Sequence, residues 1–255
     1  MKKKKTSNKE KVSTELPYQI LKTKPEGIGG TDAARIVAGD WRNLYDEKKG
    51  FKEREDLNNV LPVRMGIHTE SLNRQWYMEQ TGNYLSEPLI IKNIRRPYMT
   101  ASLDALTYGP DGKGDFTNYS VWDAKHTNAF MKQEKIFEKY YPQMQHYMLV
   151  TELENAVLSV FYGNMKYEIL DIAKDEDFQW ALLKAEMLFW KMVLEDQEPP
   201  DHMDWVNFTQ EKLNDKGNIQ VSVLAGLQEP DDKQGGSTRY NAEGEIDQKK
   251  GSADN

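Results

Sequence analysis

The chain predicts an α/β fold, a small mixed central sheet flanked by helices, on three observations. Apolar residues return every three to four positions in the stretches on either side of the middle, the period of amphipathic helices. Between them the period drops to two, over runs rich in β-branched and aromatic residues. Gly and Pro punctuate the changes of period. The elements then read αααβββαββα, with a three-stranded meander at the centre.

Gly27-Ile28-Gly29-Gly30 precedes Thr31-Asp32-Ala33-Ala34, a capping type of residue followed by good helix formers. A second helix is expected from about Trp41 to Lys49. A third runs from about Val63 to Thr81, with Leu72, Trp76 and Met78 among its apolar positions, and closes at Gly82. Pro88 to Ile94 and Tyr98 to Tyr108 read as strands separated by Arg95-Arg96-Pro97. Gly109 to Gly114 reads as a turn, and Ser120 to His126 as the next strand. Ala129 to Thr151 is helical in pattern, with a break expected near Pro142. Val157–Tyr162 and Lys166–Asp171 fit a hairpin about Gly163-Asn164. A last helix, Glu176 to Asp196, brings Trp180, Leu183, Met187, Trp190 and Val193 near one face as core, and Pro199-Pro200 stops it.

With 255 residues the chain is long enough for one large domain with appendages. Residues 1–12 hold six lysines against one glutamate and read as a basic disordered arm, either a solubilising end or a non-specific DNA tether. Residues 13–208 form the expected domain. Residues 209–255 are polar and Gly-rich, the composition of a disordered tail, with Ile219 to Leu227 as one apolar stretch. There is no cysteine, which excludes disulfides, zinc ribbons, thiol nucleophiles and thiolate-held iron–sulfur clusters. No apolar run approaches the ~18 residues of a membrane span, and the opening lysines lead into no signal-type apolar segment. A soluble, cytoplasmic protein with no membrane partner is expected.

The formal net charge is -7, and residues 13–208 carry -9 of their own once the basic arm and acidic tail are set aside. Nucleic-acid binding by counterion release alone calls for a basic surface. An enzyme that places divalent cations between its carboxylates and a phosphate escapes that objection.

The central strands carry the chemistry. Alternation puts Asp123 and Lys125 on one face of their strand. If the Tyr98–Tyr108 strand pairs beside it, Asp104 can face the same side, and two carboxylates and an ammonium converge. Mg²⁺ takes hard oxygen ligands and keeps several waters. Asp104, Asp123 and the carbonyl of Ala124 would suit it, with Lys125 placed to orient a water or help deprotonate it. Asp-x-Lys is also a common ion pair on exposed strands. Val121 and Trp122, expected to be buried, and the small residues Thr100-Ala101-Ser102 favour a site. His146, among apolar helix residues, reads as a packed or hydrogen-bonded histidine, and His202 as surface.

Several blocks resemble a known family. Met65-Gly66-Ile67-His68-Thr69-Glu70, Thr100-Ala101-Ser102-Leu103-Asp104-Ala105-Leu106, Trp122-Asp123-Ala124-Lys125 and Tyr140-Tyr141-Pro142-Gln143-Met144-Gln145 occur in the order and spacing of the lambda exonuclease and YqaJ-like viral recombinase family. Ile28-Gly29-Gly30-Thr31-Asp32-Ala33-Ala34 and the late Phe189-Trp190…Pro199 resemble its two ends, so the likeness covers about residues 24–200. This family lies within the PD-(D/E)xK nuclease superfamily, which implies a restriction-endonuclease-like core. The resemblance implies that Asp104 and Asp123 bind metal, that Lys125 is catalytic, and that Glu70 completes the metal site directly or through water. It gives Gln143 a supporting catalytic role with Tyr140 beside it. It assigns Lys24, Thr31 and Ser102 to a pocket for a DNA 5′-phosphate, and a helix N-terminus is a ready anion site.

The chain departs from the family pattern in having Asp123 where glutamate is usual, Leu103 for a commoner proline, His126 after the lysine, and Lys24 where an arginine is expected. A lysine offers a point charge where arginine offers a fork. The resemblance implies a Mg²⁺-dependent exonuclease, with Mn²⁺ as an alternative and one or two ions. It would degrade linear double-stranded DNA from its ends, 5′ to 3′, leaving 3′ overhangs for a single-strand annealing partner, in a bacterial host if phage-encoded. Relatives form homotrimeric rings, and a ring would retain DNA by topology in spite of acidic charge. The alternatives are a distributive RecB-like nuclease acting on single strands and a catalytically inactive adaptor with the same fold.

Overall fold

The computed structural model describes residues 16–109 and 118–205. The basic arm, most of the Gly109–Gly114 turn and the polar tail lie outside the described residues. All described residues fall within one compact unit, Met1–Asn218. None of its described helices is long and apolar enough to cross a membrane.

The chain opens with β1 (Tyr18–Leu21), then three helices, α1 (Gly30–Val37), α2 (Trp41–Lys48) and α3 (Leu61–Thr81). Strands β2 (Tyr84–Leu85), β3 (Leu89–Asn93), β4 (Thr100–Leu103), β5 (Ala105–Tyr108) and β6 (Ser120–Thr127) follow. Helix α4 (Gln133–Thr151), the hairpin of β7 (Asn155–Tyr162) and β8 (Lys166–Ala173), and α5 (Glu176–Leu194) complete it. The strands form two sheets, one in the order β1-β3-β4 and one in the order β2-β5-β6-β7-β8. Among the described strands only β6 and β7 run parallel, joined by α4 as the crossover helix that parallel neighbours require.

The α/β class holds, but the central meander does not. The expected strand Tyr98–Tyr108 is two strands in two sheets: β4 pairs with β3, and β5 pairs with β6. Asp104 is the hinge residue between them and not a mid-strand residue. Arg74 accounts for the bend: its guanidinium donates to the carbonyl of Asp104 at 2.7 Å and to that of Ser86 at 2.6 Å, capping groups that a continuous ladder would have used. Two short strands, β1 and β2, were not expected. They are completed by partners far along the chain, β1 by β3 and β2 by β5.

Helix α3 ends where expected, because Gly82 adopts the left-handed φ of 72° and closes the last turn by donating to Met78. Helix α4 starts at Gln133 and not at Ala129, since the Asn128 side chain accepts from the Phe130 amide and holds a turn there. Pro142 sits inside α4 without breaking it. Helix α1 begins at Gly30, one residue before the expected cap, and the Asp32 carboxylate accepts from the Gly29 amide at 3.0 Å. In α5 the buried stripe runs through Ala181, Leu182, Ala185, Leu188, Phe189, Met192 and Val193. Of the face expected as core, only Val193 is buried; Trp180, Leu183, Met187 and Trp190 are half-buried.

The larger core lies where α4 covers the inner face of β6 and β7, with Val121, Leu158 and Val160 against Met144, Met148 and Val150. On the opposite face α3 covers β6 through Tyr77 and Trp122, whose rings lie 5.6 Å apart. Odd-numbered residues of β6 therefore look toward α4 and even-numbered ones toward α3.

Candidate active site

Alternation along β6 puts Asp123 and Lys125 on one face, as the sequence implied, and that face is the α4 side. Asp123 is only 2 % exposed. Its Oδ2 forms an ion pair with the Lys125 ammonium, which also sits 4.7 Å over the Tyr140 ring. Asp104 arrives from the neighbouring strand. The β5–β6 register pairs Ala105 with Trp122, and its continuation sets Asp104 opposite Asp123, at the point where the ladder has ended. Released from the ladder, Asp104 turns a carboxylate oxygen back to accept the Ala124 amide at 2.9 Å.

Like charges directly opposite on adjacent strands are destabilising unless something intervenes. The titration behaviour reflects that. Burial pushes the Asp123 carboxyl up to about 6, with Asp104 and Glu70 adding to the rise and Lys125 opposing it. Lys125 is raised above its ordinary value: burial pulls it down, but Asp123 and Asp104 together outweigh the loss of water. Glu70, on α3, is raised first by desolvation and then by Asp104, while Arg74 and Lys125 pull it back. Three acids and one lysine thus share a single electrostatic neighbourhood.

The donor set fits a divalent cation. Asp123 Oδ2 is buried and makes no hydrogen bond of good geometry, although Lys125 lies against it. A carboxylate oxygen held by one ammonium keeps acceptor capacity for a cation. Two carboxylates and the Ala124 carbonyl offer the hard oxygens that Mg²⁺ or Mn²⁺ takes while keeping several waters. Among the described residues no three His, Asp or Glu side chains close a metal site by themselves. Waters or substrate oxygens would complete the shell, and Glu70 shares the electrostatic neighbourhood of the two aspartates. Asp104→Asn tests the repulsion. The amide oxygen can still accept from Ala124, so in chelator the melting temperature should be unchanged or higher by differential scanning calorimetry. A large fall would make Asp104 a structural residue.

Gln143 and Tyr140 both lie on α4, beside this neighbourhood. Gln143 Nε2 donates to the Tyr147 hydroxyl at 2.8 Å, and that hydroxyl donates to the Ser102 carbonyl at 3.0 Å. Thr31 and Ser102 are exposed, Thr31 in the first turn of α1 and Ser102 on β4. The Lys24 ammonium lies over Gly29, 3.5 Å from where a Cβ would be. It is held below its ordinary value first by desolvation and then by Arg54 and Lys48, against the pull of Asp32.

The sequence reading missed several of these neighbours. Lys48 bonds both Asp32 and the Gly27 carbonyl at 2.6 Å, and Arg54 lies 4.0 Å from Asp32, so three cations surround one buried acid at the start of α1. Arg74 and Tyr147 were missed as well, although each stands four residues after a residue singled out, Glu70 and Gln143. On a helix that spacing places them on the same face. His146, read as a packed histidine, is fully buried between Glu186 and the Thr100 carbonyl.

A model of the YqaJ-like viral recombinase domain matches residues 19–154. Uncharacterized protein YqaJ of Bacillus subtilis (strain 168) is 23% identical over 185 residues, covering 68% of this chain and 56% of that protein. The chain thus spans little more than half the length of that relative. Among solved structures, LHK-Exo in complex with dAMP superposes with a TM-score of 0.55 at 18% identity, over 73% of this chain and 94% of that one. The alkaline exonuclease LHK-Exo from Laribacter hongkongensis gives 0.52 at 19% identity, over 71% and 93%. Likeness at these identities speaks to the fold, a restriction-endonuclease-like α/β core.

Proposed function

The chain belongs to the YqaJ-like viral recombinase family, and from that premise we propose that it is a divalent-metal-dependent exonuclease. Its substrate is linear double-stranded DNA, degraded 5′ to 3′ from the end, so that a 3′ single-stranded overhang remains for an annealing protein in the cytoplasm. The observation that carries this reading is the meeting of Asp104 and Asp123 from neighbouring strands, with one buried Asp123 oxygen held only by the Lys125 ammonium.

Asp104, Asp123 and the Ala124 carbonyl would hold Mg²⁺, with Mn²⁺ as the alternative. When bound, the ion supplies the positive charge that an acidic surface lacks and that phosphodiester hydrolysis needs. Water attacks phosphorus in line, the P–O bond to the leaving sugar oxygen breaks, and that oxygen takes a proton as it departs. Lys125, kept in place by Asp123 and the Tyr140 ring, presents N–H donors to the attacking water and the phosphate. Gln143 supports the same water from α4. The cations at the start of α1, with Thr31 and Ser102, receive the terminal 5′-phosphate, and a homotrimeric ring would keep the DNA threaded.

Digestion of linear duplex labelled at one end or the other, with Mg²⁺ and with chelator, tests the reading. Mg²⁺-dependent release of the 5′ label well before the 3′ label is expected. Equal activity in chelator, or prior loss of the 3′ label, would refute it. Lys24→Ala should lower the rate on 5′-phosphorylated ends severalfold more than on 5′-hydroxyl ends in a paired kinetic assay. Equal losses on both would remove Lys24 from the pocket.

A further inference from the structure

We infer that Tyr147 is a positioning residue that couples recognition of the DNA-end phosphate to the catalytic glutamine, an inference that rests on the function proposed above. Its ring is buried, with 5% of its surface exposed, so its hydroxyl has few partners to choose among. The two it makes belong to different parts of the site. The hydroxyl proton goes to the backbone carbonyl of Ser102, and the oxygen accepts from Gln143 Nε2.

A hydroxyl has one proton. With that proton spent on Ser102, the oxygen can only accept from Gln143, so the amide nitrogen must face the tyrosine. The amide oxygen is then the end of Gln143 left for the site, an acceptor suited to a water that is about to attack. Tyr147 thereby sets which way round Gln143 works.

The same ring abuts the start of α1. A Cβ at Gly30 would lie 2.6 Å from Tyr147 Cε1 and 2.7 Å from Gln143 Cγ, so only glycine lets the phosphate-binding turn approach this closely. Ser102 lies two residues before Asp104 on the strand that ends at the hinge. An end phosphate drawing in Ser102 and the first turn of α1 would press on Tyr147 from two sides, and Tyr147 touches Gln143 directly.

Tyr147→Phe keeps the ring and removes only the hydroxyl. Turnover on 5′-phosphorylated duplex should fall roughly tenfold, the scale of one net hydrogen bond, with KM little changed. The rate ratio between 5′-phosphorylated and 5′-hydroxyl ends should collapse toward one. In a Gln143→Ala background the same change should cost little more. A merely structural role would slow both substrates alike and leave the ratio standing. Should Tyr147→Phe fail to fold, Gly30→Ala, which displaces the ring with its hydroxyl intact, should collapse the same ratio. If the wild-type enzyme has no preference for 5′-phosphorylated ends, the end-phosphate reading falls and this inference with it. If the wild type has the preference and both variants keep it, or if Tyr147→Phe and Gln143→Ala losses multiply, the coupling alone is overturned.

Discussion

Replacing Lys125 by alanine should lower Mg²⁺-dependent digestion of linear duplex about a thousandfold, within the range of a lost proton-transfer or orienting group, while the protein stays folded. Asp123 loses its ion-pair partner in this variant and remains buried beside Asp104 and Glu70. Removing one partner of a buried pair is usually severe because a bare charge is left behind. Asp123 has an escape: burial already pushes its carboxyl up to about 6, so without Lys125 it takes a proton near neutral pH. The fold therefore survives and the metal site does not, since the ligand must be ionised. Titrating Mn²⁺ calorimetrically into the variant should show weak binding at pH 7 that strengthens as pH rises. The hydrolysis rate should stay low across that range, because the ammonium is gone at every pH. Asp123→Asn should be equally inactive but should bind metal weakly at all pH values. Activity of Lys125→Ala within tenfold of wild type would remove Lys125 from the mechanism.

The parts of this site legible in the sequence are those set by local periodicity. Asp123 and Lys125 stand two apart on a strand, and two-residue alternation puts them on one face whatever the rest of the chain does. Gly82 ends α3 because of its own φ, and Gly163-Asn164 turns the β7–β8 hairpin by local chemistry. Asp104 shows where local reasoning stops. Residues 98–108 carry an unbroken strand pattern, and the break at Asp104 comes from Arg74, thirty residues earlier, capping its carbonyl. Strands β1 and β2 are four and two residues long, too short for a period to register, and exist through distant partners. Tyr147 was hidden by its company: among Met144, Met148 and Val150 it reads as core, and its hydroxyl meets a backbone carbonyl that no side-chain pattern encodes. The half-buried face of α5 was misjudged for a related reason. Large aromatics mark its boundary, while the smaller Ala181 and Ala185 admit close packing with α1 and α4.

Removing Glu186 should produce a large loss of stability. Its carboxylate and the His146 imidazole are both fully buried, 2.7 Å apart, and His146 Nε2 donates to the Thr100 carbonyl at 2.9 Å. Burial would drive His146 neutral, yet Glu186 and the Thr100 bond, with Asp32 of α1 helping, raise it above its ordinary value. A pair of this kind contributes fully below about pH 6.5, where an unfolded histidine is also charged. Its contribution fades as pH climbs through the folded value, so wild-type stability should decline from neutral into alkaline solution. Glu186→Ala leaves the histidine without its counter-charge and should cost about 3 kcal/mol or more, roughly a 10 °C fall in melting temperature for a domain of this size. Glu186→Gln should cost less, because a neutral His146 keeps its Thr100 bond and can accept from the new amide. The pH slope in that variant should reverse. With the Glu186 charge gone, desolvation outweighs the Thr100 bond and Asp32, His146 falls below its ordinary value, and stability then rises as pH passes upward through the range where the unfolded chain still holds the proton. Melting curves of wild type and Glu186→Gln between pH 5 and pH 9 decide the matter: rising slopes in both would mean that the pair is neutral in the folded protein, and falling slopes in both that the Thr100 bond and Asp32 keep His146 charged without Glu186. Since Thr100 opens the strand that leads through Ser102 to Asp104, activity lost in Glu186→Ala should return on cooling, in step with the folded fraction.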